Sequence, residues 1–182
     1  MKKAIDLHRI GEKIEFNDAR ERTNGERSEC IVTLQPGKKG PPPHIHIRQV
    51  EVFEVLIGRM TAVVNGKETT ANVGETVVVQ PGETHTFRNG SDTEPLVMKV
   101  YFEKALNIEW MLQTMGEEAM RKGGDWDKIS VPLLMYIFFK MRREYRLAGI
   151  PFWLQDAIFG IGAAIARLTG SAKKVQMPTG LA

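Results

Sequence analysis

The stretch Gly40-Pro41-Pro42-Pro43-His44-Ile45-His46-Ile47-Arg48-Gln49-Val50-Glu51 decides how this chain is read, because it holds two of only four histidines, two residues apart, and a carboxylate close behind. Residues i and i+2 of a strand point to the same face, so His44 and His46 project together and can share one metal ion. The prolines at 41–43 hold the approach to the first histidine extended. A second stretch, Gly74-Glu75-Thr76-Val77-Val78-Val79-Gln80-Pro81-Gly82-Glu83-Thr84-His85-Thr86-Phe87-Arg88-Asn89, adds a third histidine after a turn at Gly82. Strand alternation puts Glu51 on the face of residues 53 and 55 and turns Glu54 to the other side, so Glu51 is the better carboxylate ligand. Three imidazoles with one carboxylate suit a divalent transition metal such as iron, manganese, nickel or zinc.

Around these stretches, residues 4–103 read as short β-runs broken by turn residues, among them Cys30-Ile31-Val32-Thr33-Leu34, Met60-Thr61-Ala62-Val63-Val64 and Leu96-Val97-Met98-Lys99-Val100-Tyr101-Phe102. They are rich in β-branched residues and several alternate apolar with polar, as strands with one buried face do. Asn65-Gly66 between two runs predicts a two-residue hairpin turn, which needs positive φ at both central positions. Many short strands with Gly and Pro punctuation indicate a barrel or a sandwich. After Glu103 the alternation stops. Three stretches, about 104–122, 131–148 and 152–169, suit helices, separated by Gly123-Gly124 and by Gly149-Ile150-Pro151. Residues 171–182 read as a frayed end.

The spacing His-x-His-x4-Glu-x6-Gly at 44–58, followed by Gly-x7-Gly-x2-His-x3-Asn at 74–89, resembles the two conserved motifs of the cupin superfamily. The resemblance implies an antiparallel jelly-roll barrel over residues 1–103, mainly β and of six to ten strands, with the helical extension 104–182 packing on the barrel or on a dimer partner. It also implies that His44, His46, Glu51 and His85 bind the metal. Two departures touch loops alone: Gly37 and Gly40 flank the position expected for the first motif's leading glycine, and Pro81 stands one place beyond the usual proline. The tail segment Arg143-Glu144-Tyr145-Arg146-Leu147-Ala148-Gly149, with Pro151-Phe152-Trp153, is similar to a group of uncharacterised single-barrel bacterial cupins.

Alternation sends Phe53 and Val55 inward beside Glu51, and Phe87 and Asn89 inward beside His85. Met60, Met98 and Val100 are further candidates for the same interior, although in a small barrel most such residues simply fill the core. Asn89 more often secures backbone than touches substrate. A largely apolar lining favours a small organic or aromatic ligand over a sugar phosphate, for which several inward cations would be wanted. Arg48 is the one nearby cation, as often solvated as functional. Cys30 reads as a buried structural thiol, His8 as a hydrogen-bonded structural residue, and Trp110, Trp126 and Trp153 as anchors packing the tail.

Composition bounds the remaining classes. With 42% apolar and 26% charged residues among 182, one buried core is expected. A single cysteine permits no internal disulfide, and no secretion signal is visible at the start, so a cytoplasmic location is expected. Net charge is +3, with 14 Lys and Arg against 15 Asp and Glu in residues 1–103 and 11 against 7 in residues 104–182. No dense basic stripe or nucleic-acid-binding signature accompanies that surplus, so nucleic acid is not an expected partner. Residues 152–168 are mostly apolar but too short and too charged to span a bilayer, so no transmembrane segment is expected. Val131 to Phe139, running into Lys140-Met141-Arg142-Arg143, leaves interfacial membrane contact open beside packing on the barrel or on a second copy. The expected partner is a small molecule, and the expected assembly a homodimer. The favoured function is a metal-dependent oxidoreductase of dioxygenase type; the alternatives are a metal-dependent isomerase or lyase, and a non-catalytic binding or sensing module.

Overall fold

The computed structural model describes residues 4–175, which form a jelly-roll barrel with a helical C-terminal part. Ten strands precede Lys104: β1 (Ala4–Leu7), β2 (Glu12–Phe16), β3 (Arg27–Leu34), β4 (His44–His46), β5 (Val50–Ile57), β6 (Arg59–Val64), β7 (Lys67–Asn72), β8 (Thr76–Val79), β9 (Thr84–Asn89) and β10 (Leu96–Glu103). One turn of helix, α1 (Ala19–Arg22), connects β2 to β3. The strands pair antiparallel in two sheets, ordered β1-β2-β3-β10-β5-β8 and, with a strand β11 (Tyr145–Leu147) from the tail, β11-β4-β9-β6-β7.

Alternation sets which face is buried. On β3, Ser28, Cys30, Val32 and Leu34 are buried while their neighbours are only partly so, and on β10 the same holds for Leu96, Met98, Val100 and Phe102. Register then aligns Cys30, Val100 and Phe53 across three strands, giving one apolar row of the inner wall. Between β6 and β7 the chain turns on Asn65 (φ 51°) and Gly66 (φ 79°), the two-residue hairpin expected from the sequence. Gly58 (φ 79°) joins β5 to β6 where a Cβ would collide with the Pro95 carbonyl, so no other residue fits there.

In the tail, α2 (Ile108–Arg121), α3 (Val131–Met141) and α4 (Phe152–Leu168) are helices, but the middle one ends seven residues before the sequence suggests. Residues 145–147 form β11, paired with β4 so that Tyr145 faces His46 and Leu147 faces His44. Nothing local breaks the helix there. The stronger demand is tertiary: β4 would otherwise be a sheet edge with unpaired backbone groups beneath the tail, and such buried groups must be satisfied. The pairing extends past the strand, with Ile47 N–H donating to the Glu144 carbonyl at 2.8 Å and Ala148 N–H to that of Pro43 at 2.9 Å.

Side chains lock this arrangement. Gln155 of α4 accepts from Leu147 N–H and donates to the Leu147 and Ile150 carbonyls. The Glu144 carboxylate accepts from the backbone and side-chain amides of Asn107, at 2.9 and 2.6 Å, tying the start of α2 to β11. Gly116 lets α2 lie against Ile5 of β1, and Gly162 lets α4 lie against Met135 of α3. The barrel and helices therefore share one continuous apolar core. Of the end expected to fray, residues 171–174 make a 3-10 turn, and residues 176–182 lie outside the described residues.

Candidate metal centre

β4 carries His44 and His46 inward with Ile45 turned away, and pairing with β9 sets His85 directly opposite His44. Glu51 reaches the same point from β5 in the facing sheet. The structure thus brings all four sequence-chosen residues together: each is buried, and one ligand atom from each lies within 4.8 Å of the others. Glu54 points outward and pairs with Lys99.

The histidines are held in the form that metal binding needs. Each presents Nδ1 to an acceptor: His44 to the Pro42 carbonyl at 3.0 Å, His85 to the Glu83 carbonyl at 3.2 Å, and His46 to Gln49 Oε1 at 3.3 Å. The Gln49 amide cannot be turned the other way, because its Nε2 donates to the Lys104 and Ala105 carbonyls at 2.9 and 3.0 Å. With Nδ1–H so engaged, the Nε2 lone pairs are the ones left for a metal. Glu51 Oε2 lies 2.7 Å from His85 Nε2 and 3.3 Å from His46 Nε2.

Charge in the cluster follows from burial and proximity. Burial by itself would raise the Glu51 carboxyl, but the charge and hydrogen bonds of His46 and His85 outweigh it and hold Glu51 well below the usual carboxylate range. Burial lowers His85, and the hydrogen bond and charge of Glu51 more than reverse this, leaving it raised. His44 is pushed down to about 3 by burial first and then by the neighbouring His85 and His46, so it is a neutral donor at neutral pH. A carboxylate sharing a proton with an imidazole, beside a neutral imidazole, is a set from which a dication displaces a proton at little cost. The donor chemistry therefore fits a divalent transition metal held by His44, His46, Glu51 and His85.

Aromatic rings pack around the imidazoles. Tyr145 stacks on His44 with centroids 4.9 Å apart, Phe102 lies 5.3 Å from His46, and Phe53 lies 6.3 Å from His85. Gln49 and Tyr145 were not singled out by sequence reasoning. Gln49 carries a weak signal, lying three residues after His46 in a tight turn; Tyr145 carries none, since only the β11 pairing brings it from a distant segment.

A cavity of about 620 Å³ opens on the cluster. Phe53, Phe87 and Val100 line it, whereas Val55, Met60 and Met98 are fully buried in the core and are not part of its wall. Asn89 uses its amide on backbone, donating to the carbonyls of Leu34, Gln35 and Glu94 and accepting from Ser91 N–H. Arg48 is exposed and lies outside the lining. Cys30 is buried in the cavity wall, where burial raises its thiol. His8 is exposed beside Asp6, not a structural residue of the interior. Trp110 is a buried anchor and Trp126 bonds Glu12, but Trp153 is 71% exposed and is not a buried anchor of the tail.

Residues 30–102 match the Cupin domain family model, with all four cluster residues inside the matched span. Over that span the chain carries a cupin domain. The chain is 42% identical over 50 residues to an oxidoreductase of Beauveria bassiana (strain ARSEF 2860), an overlap of 27% of this chain and 16% of that protein. Among solved structures, a predicted oxalate decarboxylase of Thermotoga maritima is 20% identical, with 51% of this chain and 80% of that one covered and a TM-score of 0.48. A sugar phosphate isomerase of Silicibacter pomeroyi DSS-3 is 22% identical, covering 53% and 61%, with a TM-score of 0.46.

Proposed function

We propose that this cupin is a metal-dependent enzyme acting on a small organic molecule, and that its reaction is an oxidation of dioxygenase type. The observation that carries the reading is the convergence of three histidines, each anchored through Nδ1, with Glu51 at the inner end of a cavity. The printed description of the Beauveria bassiana relative as an oxidoreductase agrees with it over the short stretch they share. Iron at the cluster would supply electron transfer to O₂, while zinc there would supply the Lewis acidity of an isomerase or lyase. The chain's own residues position ligand atoms, exclude water through Tyr145 and Phe102, and present the open side to substrate.

Elemental analysis of the purified protein and of His46→Ala tests the centre: the parent should retain a divalent ion that the folded variant loses. Oxygen uptake with phenols, diketones and keto acids tests the reaction. Binding of such molecules without turnover under any of the four metals would replace the enzyme reading with that of a binding or sensing module.

No helix among the described residues is long and apolar enough to cross a membrane. We further propose a homodimer formed through α4, in the cytoplasm, where a lone buried Cys30 needs no oxidising environment. Ile158, Ile161, Ile165 and Leu168 are all exposed, at spacings of three and four residues, which is the seam by which a helix pairs with its own copy. Sedimentation should show a dimer in the parent and a monomer in Ile161→Glu. Binding of the parent monomer to anionic vesicles would instead identify α4 as a membrane-facing helix.

A further inference from the structure

The cavity is longer and drier than a small polar substrate requires. Its volume of about 620 Å³ falls in the range of roughly 300–1,000 Å³ that holds ligands of drug size. One wall is barrel interior, including Ile14, Val32 and Val100, and the roof is α2, including Ile108, Met111 and Met115. Polar side chains occur at its two ends. One end is the metal cluster; the other holds Glu12, with Asp127, Lys38 and Lys39 near it. Both lysines are exposed, so no cation is buried in the lining to receive a phosphate.

Sheet register gives the length. Glu51 lies in the row that contains Phe102 and Ser28, and Glu12 in the row that contains Leu34 and Leu96. Ser28 and Leu34 are six residues apart on β3, so the two rows are separated by about 20 Å along the strands, at ~3.4 Å per residue. Glu12 accepts one hydrogen bond, from the Trp126 indole N–H at 2.7 Å, and among the described residues its carboxyl has no other partner. Burial raises this carboxyl and the indole bond only partly offsets the rise, as for an acceptor with unused capacity in an apolar place.

We propose that the cavity takes an elongated, predominantly apolar molecule, seated with an oxygen-donor head group at His44, His46, Glu51 and His85 and with a hydrogen-bond-donating group at its far end against Glu12. The head-group half rests on the metal-centre reading; the apolar half rests on the lining alone. A sugar phosphate would bury a charge and many hydroxyls against carbon, which costs far more than the metal end returns. The flexible side chains of Met111 and Met115 let the roof adapt to such a chain.

The test uses the full-length protein loaded with zinc, with metal content measured on every sample. Palmitic acid, its ω-hydroxy derivative, hexanoic acid and glucose 6-phosphate serve as probes in titration calorimetry. Palmitic acid should bind at least about a hundredfold more tightly than hexanoic acid, since each further buried methylene adds to affinity. The ω-hydroxy derivative should bind several-fold more tightly than palmitic acid, and Glu12→Leu should abolish that preference with the metal retained. Met111→Trp in the roof and Val32→Phe in the wall fill the cavity from opposite sides, and each should weaken palmitic acid at least about tenfold without changing the metal content. A zinc-loaded chain that binds hexanoic acid or glucose 6-phosphate as well as palmitic acid overturns this inference and leaves the metal centre standing. A chain that takes up no ion but binds palmitic acid in a Met111-dependent manner overturns the metal centre and supports the apolar half.

Discussion

Gln49 is the position where one substitution separates the architecture of the centre from its ligands. In Gln49→Leu the shape is nearly kept, but the Lys104 and Ala105 carbonyls lose the Gln49 amide donor and His46 Nδ1 loses its acceptor. The Ala105 carbonyl keeps the Ile108 N–H at 3.3 Å, so among the described residues only the Lys104 carbonyl is left without a donor, at a cost of about 1–3 kcal/mol of stability. Freeing the imidazole to rotate or change tautomer should weaken metal binding by about 10–100-fold, or ~1.4–2.8 kcal/mol. Competition of the refolded variant against a chromophoric chelator measures the second effect and thermal unfolding of the metal-free form the first. Gln49→Glu is the informative companion: it still accepts from His46 but sets a carboxylate against two carbonyl oxygens, so it should keep metal affinity better than stability. If Gln49→Leu binds zinc as tightly as the parent, the account of how His46 is held in its ligating form is wrong.

Other expectations follow from the same geometry. In the metal-free protein, His44 is held at about 3 against an ordinary 6.5, so the unfolded chain binds a proton that the folded chain refuses, and stability falls as pH drops from about 6.5 toward 3. Glu51, also lowered, acts in the same direction: its contribution is present above its unfolded value and lost as pH falls through its folded one. His85 is raised, so its contribution is complete below 6.5 and lost as pH rises through its folded value. Melting curves of parent and His44→Gln between pH 7 and 4 should therefore diverge, the parent losing more. A bound ion at a hundred times its dissociation constant should stabilise the fold by ~2.7 kcal/mol, an increment that chelation removes and that His85→Ala lacks. At Gly116 a Cβ would meet Ile5 at 2.6 Å, so Gly116→Val should lift α2 off β1 at a cost of about 1–3 kcal/mol, read as a fall in Tm of roughly 2–12 °C.

Much of the barrel was legible because strands announce themselves locally. Alternation over residues 28–34 and 96–102 gave the buried faces, and Asn65-Gly66 gave a hairpin that needs only its two residues' backbone preferences. The four cluster residues were legible too, through same-face geometry within β4 and β5 and the spacing of two motifs. Inward-facing and cavity-lining proved to be different properties: Val55, Met60 and Met98 face in but are covered by neighbours, and Asn89 donates its amide hydrogens to three backbone carbonyls.

The amino-acid order by itself determined a β-barrel with His44, His46, Glu51 and His85 on inner faces, because side-chain direction in a strand depends on position parity alone. Tertiary structure alone decided that residues 145–147 leave the helical pattern to pair with β4, that Tyr145 stacks on His44, that Gln49 holds His46, and that α2 roofs a cavity running toward Glu12. Each of these depends on a backbone group or surface supplied by a segment far away in the chain, and no local pattern of residues encodes which distant partner will be there to satisfy it.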